Sequence, residues 1–381
     1  MRQIVIAIDS FKECLQAPEV AAAIARGVKR CCLDTDIVLV PLSDGGEGLV
    51  RALVAAVGGR EKVSTVHGPL GEPVEAKWGI LSDNETAVIE MAQASGIGLV
   101  EPKKRNPLKA TTYGTGELIK SALDAGCSRI VVGLGGSATV DGGAGMAQAL
   151  GAKFLDSDGY VLEAEPVSLE KLDRVNLDGI DPRLKETEIL VACDVSNPLC
   201  GPKGAAAVYG PQKGATPEMV TRLDKVLGHI ADLLEEKTGC EVKTLPGAGA
   251  AGGMGAGLVG FLGAKLCSGI DLVIDLVGLE AILATEVSLV ITGEGEINYQ
   301  TIYGKVPVGV ARVAKKYNVP VVALAGSLGP GAEIVYQHGI NGLMSIQPGP
   351  MTLEYSMKNA AVLLEDAAER LMRLLIINDQ L

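Results

Sequence analysis

The chain has 381 residues, of which 48% are hydrophobic and only 3% aromatic, while glycine is abundant at 49 residues. A chain of this length forms about two to three domains, and its composition favours packed α/β units over an aromatic-rich sandwich. The formal net charge of −12 argues against nucleic acid or an anionic membrane as a partner, because both require a basic surface. A small anionic ligand held by a few local lysines is compatible with this charge.

The cysteines and histidines show no metal-binding or disulfide pattern. Cys31 and Cys32 are adjacent, no C-x-x-C pair occurs, and His67, His229 and His338 are scattered. The first apolar run is too short for a signal sequence, and no later run approaches the roughly 18 apolar residues of a membrane-spanning helix. We therefore expect reduced thiols and a cytoplasmic location.

The beginning of the chain predicts two strand–helix units. Apolar runs over 3–8 and 37–42 are typical of buried strands, and each precedes a polar turn. A helix opened by Pro18 follows the first turn, and an amphipathic helix over 49–57 follows the second.

Both polar turns carry charged side chains just past a strand. Asp9 and Lys12 follow the first strand, and Asp44 and Glu47 follow the second. Because open parallel sheets bind ligands at the carboxyl ends of their strands, these side chains are candidates for one crevice. Helix capping or simple solvation is the alternative for each acid.

From Val63 onward the pattern changes to short strands separated by tight turns, which indicates entry into a second domain. A helix begins near Glu117, and a buried strand over 188–193 runs into Asp194, which again places a carboxylate at the end of a strand. Lys213 follows in a glycine-bounded loop, where it either binds phosphate or extends into solvent.

A glycine-rich turn joins a predicted strand over 130–134 to a predicted helix over 144–150. Glycines allow close backbone approach to a ligand, and a helix start offers unpaired N–H groups, so such a turn suits an anion. The residues of this turn that could contact a ligand are Gly135, Gly136, Ser137, Thr139 and Asp141. The alternative is that Thr139 and Asp141 cap the helix and that the glycines serve packing.

The last part of the chain returns to strand–helix alternation. A strand over 289–292 runs into a G-E-G turn, and helices are predicted over 308–317 and 359–374. The segment 247–252, GAGAAG, matches the pattern G-x-G-x-x-G, but no strong strand precedes it. It therefore indicates a ligand-binding or packing loop rather than a dinucleotide site.

Many short motifs between Asp9 and Gly329 occur in the order found in one known family. They are DSFKECLQAPEVAAAI, SDGGEG, GPLGEPVEAKWG, IEMAQASGI, KRNPL, TTYGTGELI, GLGGSATVDGGAGMAQALGAKF, DPRL, VACDVSNPLCG, GAAAVYGPQKGA, PGAGAAGGMGAG, LVITGEG, GKVPVGVA and VALAGSLG. In these motifs the chain resembles the bacterial glycerate kinase family, typified by the glycerate 2-kinases of glyoxylate and galactarate breakdown.

The resemblance implies ATP-dependent phosphorylation of D-glycerate to 2-phosphoglycerate, with 3-phosphoglycerate as the other product that a small change of pose would give. It implies an α/β fold in which both chain ends, 1–63 and 288–381, form a Rossmann-like parallel-sheet domain. A large second α/β domain over 64–287 is inserted between them. The implied partners are glycerate and ATP, not nucleic acid or a membrane, and the oligomeric state is open, a homo-oligomer included.

Phosphoryl transfer requires Mg²⁺ ligands, cations against the developing charge and a carboxylate near the attacking hydroxyl. We predict either Asp194 or Asp44 as the base, and the other carboxylate together with Glu294 around Mg²⁺. Lys12 is predicted to contact phosphate or the substrate carboxylate. The predicted substrate- and phosphate-binding residues are Ser10, Gly135, Gly136, Ser137, Thr139, Asp141 and Lys213.

One departure from the family pattern falls at positions 296 and 298, where the family reads GEGRID and this chain reads GEGEIN. Glu296 cannot bind an anion as an arginine would, and Asn298 brings no charge to Mg²⁺. The alternatives are a catalytically altered glycerate- or nucleotide-binding protein, or a kinase of a related hydroxy acid. A nucleotide-dependent dehydrogenase would depend on the GAGAAG segment alone.

Overall fold

The computed structural model describes residues 3–378 of the chain. Its strands are β1 (Gln3–Ile8), β2 (Asp36–Pro41), β3 (Gly59–His67), β4 (Pro73–Leu81), β5 (Thr86–Glu90), β6 (Arg129–Gly133), β7 (Lys153–Leu155), β8 (Val161–Leu162), β9 (Arg174–Asn176), β10 (Glu188–Ala192), β11 (Lys265–Cys267), β12 (Leu289–Ile297), β13 (Val321–Leu328) and β14 (Gly342–Ser345).

The α-helices fill most of the chain between these strands. They are α1 (Ala17–Cys31), α2 (Leu49–Val57), α3 (Ala92–Ser95), α4 (Tyr113–Asp124), α5 (Ala144–Ala149), α6 (Pro166–Leu169), α7 (Ala205–Tyr209), α8 (Pro217–Thr238), α9 (Ala250–Leu262), α10 (Gly269–Val277), α11 (Leu279–Leu283), α12 (Val306–Lys316), α13 (Leu353–Lys358) and α14 (Ala360–Asn378). Short 3-10 helices cover Ile97–Leu99, Pro102–Lys104, Pro182–Glu186, Pro211–Lys213 and Ala332–His338.

The chain divides into two compact units. The first unit consists of residues up to 44, 51–58 and the chain from 269 onward, and the second consists of 45–50 and 59–268. The first unit contains α10 and α11, which the sequence prediction placed in the inserted domain. The predicted domain bounds, 1–63 with 288–381 and 64–287, stay a prediction.

The first unit is built on a parallel five-stranded sheet in the order β14-β13-β12-β1-β2. Ile4, Ile6 and Ile8 of β1 pack with α1 and α14 on one side of the sheet. The alternate residues Val5 and Ala7 are also fully buried, because successive side chains of a strand point to opposite faces. The chain leaves β1 toward β2 on one side and later places β12, β13 and β14 on the other, so the strand order reverses between β1 and β12.

The second unit is built on a six-stranded sheet in the order β11-β10-β6-β5-β4-β3. Strands β11, β10, β6 and β5 are parallel, while β4 and β3 form an antiparallel hairpin at one edge. A small antiparallel sheet, β8-β7-β9, joins the same hydrophobic core through Phe154. The short strands predicted from Val63 onward correspond to β3 and β4 of this hairpin and to β5 beside it.

The predicted α/β class with parallel sheets is confirmed, and the main difference lies in β12. The sequence prediction ended this strand at Thr292, whereas the structure continues it to Ile297. Pairing with β13 continues past Glu294, opposite Ala325, to Ile297, opposite Leu328. A side chain at Gly293 would place Cβ 1.8 Å from the carbonyl oxygen of Leu324, so only glycine permits this close pairing of the strands. The sequence pattern alone had predicted a turn at this glycine.

Close contact between α1 and α14 gives a testable prediction. A Cβ at Gly27 would lie 2.1 Å from the carbonyl oxygen of Glu365. Because both partners are helix backbone and cannot yield easily, we expect Gly27→Ala to destabilise the protein by about 2 kcal/mol. Gly349→Ala is the matched control, since a Cβ there meets nothing within 4 Å. Urea-unfolding midpoints measure both variants, and equal midpoints would contradict the packing described here.

Candidate active site

The carboxyl edge of the first unit's sheet brings charged residues together at the point where the strand order reverses. Asp9 follows β1, Glu294 lies in β12, and the backbone N–H of Asp9 donates to the carbonyl oxygen of Gly293 at 3.1 Å. Asp44 follows β2 by a few residues. Open α/β sheets bind ligands at such a reversal, because the loops on either side diverge and leave a crevice.

Asp9 is a buried carboxylate, with only 3% of the residue exposed. Its Oδ1 accepts hydrogen bonds from the backbone N–H of Ser10 at 2.6 Å and from the Ser10 hydroxyl at 3.2 Å. Burial, together with the charge of Asp44, raises the pKa of Asp9 to about 7. The predicted ligand-binding residue Ser10 is thus engaged in holding Asp9.

Glu294 and Asp44 complete the carboxylates of this edge. Burial raises the pKa of Glu294 to about 7, although the Thr301 hydroxyl donates to its Oε1 at 2.8 Å. Asp44 Oδ2 accepts from Lys305 Nζ at 2.5 Å and forms a longer ion pair with Lys12 Nζ at 3.6 Å. The two metal-ligand candidates, Glu294 and Asp44, therefore lie in one charged cluster.

The two lysines of the cluster differ in exposure. The Lys12 side chain is 56% exposed, whereas that of Lys305 is 33% exposed. Burial opposes the charge of Lys305, but Asp44 beside it outweighs burial and raises the pKa of the ammonium group. We refer below to Asp9, Asp44, Glu294, Lys12 and Lys305 as the charged cluster.

A cavity of about 420 Å³ opens beside the charged cluster within the first unit. Its volume falls within the roughly 300–1,000 Å³ of small-molecule sites. The lining residues are Asp9, Ser10, Phe11, Lys12, Glu13, Cys14, Glu294, Gly295, Glu296, Lys305, Gly326, Ser327, Ile346, Gln347, Leu353, Ser356, Met357 and Ala360.

The departure from the family pattern lies at the wall of this cavity. Glu296 lines the cavity, and its Oε1 accepts from the side-chain amide of Asn298 at 2.6 Å. The Ser327 hydroxyl lies 3.4 Å from its Oε2. Glu296 and Asn298, the two residues that differ from the family pattern, are therefore hydrogen-bonded to each other. The Glu296 carboxylate is held between Asn298 and Ser327 of the neighbouring strand β13.

Asp141 of the second unit is fully buried and serves its own backbone. Its carboxylate accepts from the N–H and hydroxyl of Thr112 and from the N–H groups of Gly143 and Gly145, at 2.7 to 3.2 Å. Burial raises the pKa of Asp141, although these four hydrogen bonds lower it in part. These contacts support the capping alternative, and the predicted ligand contact of Asp141 stays a prediction.

Lys213 is also buried in the second unit, with 2% of the residue exposed. Its Nζ donates to the hydroxyl of Ser137 at 2.7 Å and to the carbonyl oxygen of Thr139 at 2.8 Å. The hydroxyl of Thr139 itself is buried with no hydrogen-bond partner among the described residues. The structure thus joins three predicted phosphate-binding residues, with the ammonium group of Lys213 shaping the loop that carries the other two.

Gly135, Gly136 and Asp194 lie at the carboxyl edge of the second unit's sheet. The two glycines follow β6, and Asp194 follows the neighbouring strand β10. Gly136 and Asp194 are exposed, and Gly136 has the positive φ of 62° that glycine adopts without strain. The two predicted bases, Asp44 and Asp194, therefore belong to different units.

The GAGAAG segment packs against the loop that contains Asp141. A Cβ at Gly252 would lie 1.9 Å from the carbonyl oxygen of Thr139, and the Gly252 carbonyl oxygen accepts from the N–H of Gly142 at 3.1 Å. Its glycines are thus required for close backbone contact. This contact supports the packing interpretation of the segment.

Sequence reasoning missed Lys305 as a site residue. It lies 261 positions from Asp44, the carboxylate that it contacts. Its position directly before α12, past a polar segment that follows a strand, was the available signal. Asp9 was recognised as a crevice residue but not as a catalytic candidate.

The fold and the charged cluster define an α/β protein with a charged crevice at the carboxyl edge of a parallel sheet. Comparison with known proteins gives the family. Residues 4–376 match the model of the glycerate kinase family. The chain belongs to this family.

Individual relatives agree over nearly their whole length. The chain is 51% identical to a glycerate kinase of Bacillus subtilis over 366 residues, which cover 96% of each chain. It is also 51% identical to a glycerate 2-kinase of Escherichia coli, with 94% of each chain covered. A crystal structure of a candidate glycerate kinase 2 from Salmonella typhimurium LT2 superposes with a TM-score of 0.92 at 49% identity and covers 100% of both chains.

Within residues 3–378, no helix is both long and apolar enough to cross a membrane. The same part of the chain contains no group of three or more histidine, cysteine, aspartate or glutamate residues placed to hold a metal ion.

The contacts of Asp141 predict a structural effect of its replacement. Asp141→Asn puts an amide N–H where a carboxylate oxygen accepts from a backbone N–H, so two donors face each other. We expect a loss of about 2 kcal/mol of stability, read as a lower urea-unfolding midpoint. The exposed Asp178→Asn is the control and should leave the midpoint unchanged. An unchanged midpoint for Asp141→Asn with a large loss of activity would instead assign Asp141 to the ligand.

Burial of Lys213 predicts a pH-dependent stability. Burial lowers its pKa from 10.5 to about 7, and Asp141 is the facing charge that opposes this shift. Between these two values the folded chain binds fewer protons than the unfolded chain, so the free energy of unfolding rises with pH. We expect the free energy of unfolding of the wild type, minus that of Lys213→Met, to rise by on the order of 2 kcal/mol from pH 7 to pH 9.

Urea unfolding at both pH values gives the measurement. A difference that is constant or falls with pH would show that Lys213 is charged in the folded protein throughout.

Proposed function

We propose that this chain is a glycerate kinase that transfers the terminal phosphoryl group of ATP to D-glycerate. Its membership of the glycerate kinase family carries the proposal. The charged cluster at the strand-order reversal of the first unit supports it independently, because phosphoryl transfer needs cations and carboxylates in one crevice.

The phosphates of ATP are assigned to the lysines of the charged cluster. Lys12 and Lys305 both approach Asp44, so their ammonium groups converge on one side of the cavity. An ammonium group acts on phosphate as a strongly hydrated point charge, and Lys12 keeps the exposure that contact with a ligand requires. Lys12 is thus the residue of the cluster best placed to meet the developing charge.

Mg²⁺ fits the donor set of the cluster. Asp44 and Glu294 offer hard carboxylate oxygens, and no cysteine or histidine belongs to the cluster. Mg²⁺ on kinases is held by one or two carboxylates together with phosphate oxygens and water, so a larger protein ligand set is not required. When bound, the ion would neutralise charge on the phosphates.

The proton acceptor is proposed to be one of three carboxylates, Asp9, Asp44 or Asp194. Asp44 is held by two ammonium groups, whereas Asp9 has a pKa of about 7, close to the value that suits general-base catalysis near neutrality. We therefore add Asp9 to the earlier candidates Asp44 and Asp194. The asparagine variant of each identifies the base, because the true acceptor loses turnover without a comparable rise in the KM for ATP.

The second unit is proposed to hold an anionic group at the loop after β6. Gly136 and the adjacent Gly135 present accessible backbone, and Ser137 is fixed by Lys213. Thr139 and Asp141 are fully buried, so their contribution is to the shape of this loop.

The 2-hydroxyl is the proposed acceptor, in keeping with the relative named as a glycerate 2-kinase. Phosphorylation of the 3-hydroxyl, a related hydroxy acid as substrate, and ligand binding without turnover are the alternatives, the last two because of Glu296 and Asn298. A cytoplasmic location and a homo-oligomeric state also stay proposals.

An ADP-release assay with D-glycerate, ATP and Mg²⁺ tests the function. We expect ADP release that depends on D-glycerate and stops in excess EDTA, with 2-phosphoglycerate identified by ³¹P NMR. Release of 3-phosphoglycerate would change the assigned hydroxyl. Binding of glycerate without ADP release would indicate the catalytically altered protein.

Replacement of Lys12 tests the assignment of the charged cluster. Because Lys12 is exposed and its longer ion pair contributes little stability, Lys12→Ala should fold normally. We expect kcat/KM to fall by about a hundredfold through loss of a charge on the transferring phosphate. Lys315→Ala, an exposed lysine of α12, is the control. Equal kcat/KM for the two variants would remove Lys12 from the site.

A further inference from the structure

The cavity of the first unit has two chemically different ends. One end is lined by Asp9, Lys12, Glu294 and Lys305 of the charged cluster. The other is formed by the apolar side chains of Phe11, Ile346, Leu353, Met357 and Ala360. The apolar end lies toward β14, the outer strand of the sheet, because Ile346 directly follows that strand.

The apolar end does not match glycerate. Every carbon of glycerate carries oxygen, so the acid has no apolar surface to place against such a wall. Leu353 nevertheless leaves 72% of its surface exposed at this end. An apolar wall beside a charged cluster suits a ligand with a flat apolar part joined to an anionic part.

Gln347 provides a polar group at the apolar end. Its Nε2 donates to the hydroxyl of Ser356 at 3.2 Å, and its backbone N–H donates to the hydroxyl of Ser345 at 3.1 Å. The preceding residue, Ile346, is fixed by a backbone hydrogen bond to Ala325 at 2.8 Å. The side-chain amide is thus oriented by its neighbours, and it retains an acceptor oxygen and a second N–H with which to meet a ligand.

The geometry points to the apolar end as the site of the adenine ring of ATP, with Gln347 as the residue that selects adenine over guanine. A glutamine amide pairs with adenine through one donor and one acceptor, whereas the corresponding edge of guanine offers two acceptors. This inference rests on the proposed function, in which ATP is the phosphoryl donor.

The two ends of the cavity are placed so that one extended nucleotide could occupy both. The phosphates would reach Lys12 and Lys305 at the reversal between β1 and β12. The base would lie two strands farther along the same carboxyl edge, against Ile346 and Leu353. A single cavity of about 420 Å³ joins both positions.

Two variants test the assignment of the base. Gln347→Leu keeps the size of the side chain but removes both hydrogen-bonding groups, and Leu353→Ser removes an exposed part of the apolar wall. The control is Tyr355→Ser on the same helix, since Tyr355 is 56% exposed and does not line the cavity. Steady-state kinetics with ATP and with GTP, at saturating D-glycerate, give kcat and KM for each variant.

We expect Gln347→Leu to raise the KM for ATP at least about tenfold and to lower the ratio of kcat/KM for ATP to that for GTP by a similar factor. Leu353→Ser should raise the KM for both nucleotides and leave the ratio unchanged. The KM for D-glycerate should stay within twofold in both variants. If Gln347→Leu and Leu353→Ser instead match Tyr355→Ser in KM and in nucleotide ratio, the base lies elsewhere.

Binding measurements separate this inference from the proposed function. Isothermal titration calorimetry with ADP and GDP in the presence of Mg²⁺ needs no turnover. A wild type that binds ADP more tightly than GDP, with the preference lost in Gln347→Leu, supports the adenine site even if no ADP is released from ATP. An unchanged preference in Gln347→Leu overturns it even in a fully active kinase.

Discussion

The ion pair between Lys305 Nζ and Asp44 Oδ2, at 2.5 Å, is the interaction on which the site of the first unit depends. Three carboxylates meet at the carboxyl edge of the sheet, and two ammonium groups compensate them when all are ionised, leaving one negative charge in excess. Lys305 is the less exposed of the two ammonium groups, so its ion pair with Asp44 contributes more to the stability of the cluster than the longer pair of Lys12 does.

The buried charged residues have different roles in the two units. In the second unit, Asp141 uses both carboxylate oxygens on nearby N–H and hydroxyl groups, and Lys213 donates to Ser137 and Thr139. These contacts shape a glycine-rich loop from inside. In the first unit, the charges of Asp9 and Lys12 line an open cavity. The charged groups of the second unit thus hold a loop in shape, whereas those of the first unit face a cavity.

Much of the fold was predictable because local pattern determines it. Buried strands such as Gln3–Ile8 are continuous apolar runs, and α2 begins and ends where its amphipathic pattern does. The extension of β12 was not predictable, since it depends on pairing with β13 across a glycine. The contact between Lys305 and Asp44 was equally hidden, because no local signal joins residues so far apart in the chain. Asp141 shows a different limit. An aspartate in such a turn can cap a helix or contact a ligand, and the sequence does not show that this one is fully buried.

Hydrogen–deuterium exchange with and without Mg²⁺ and ADP tests the central claim most directly, namely that the carboxyl edge of the first unit binds the nucleotide. The account predicts slower exchange on ligand addition in peptides that cover 9–16, 294–305 and 346–357. Protection confined to the loop 134–143 of the second unit, with none in those three segments, would contradict it.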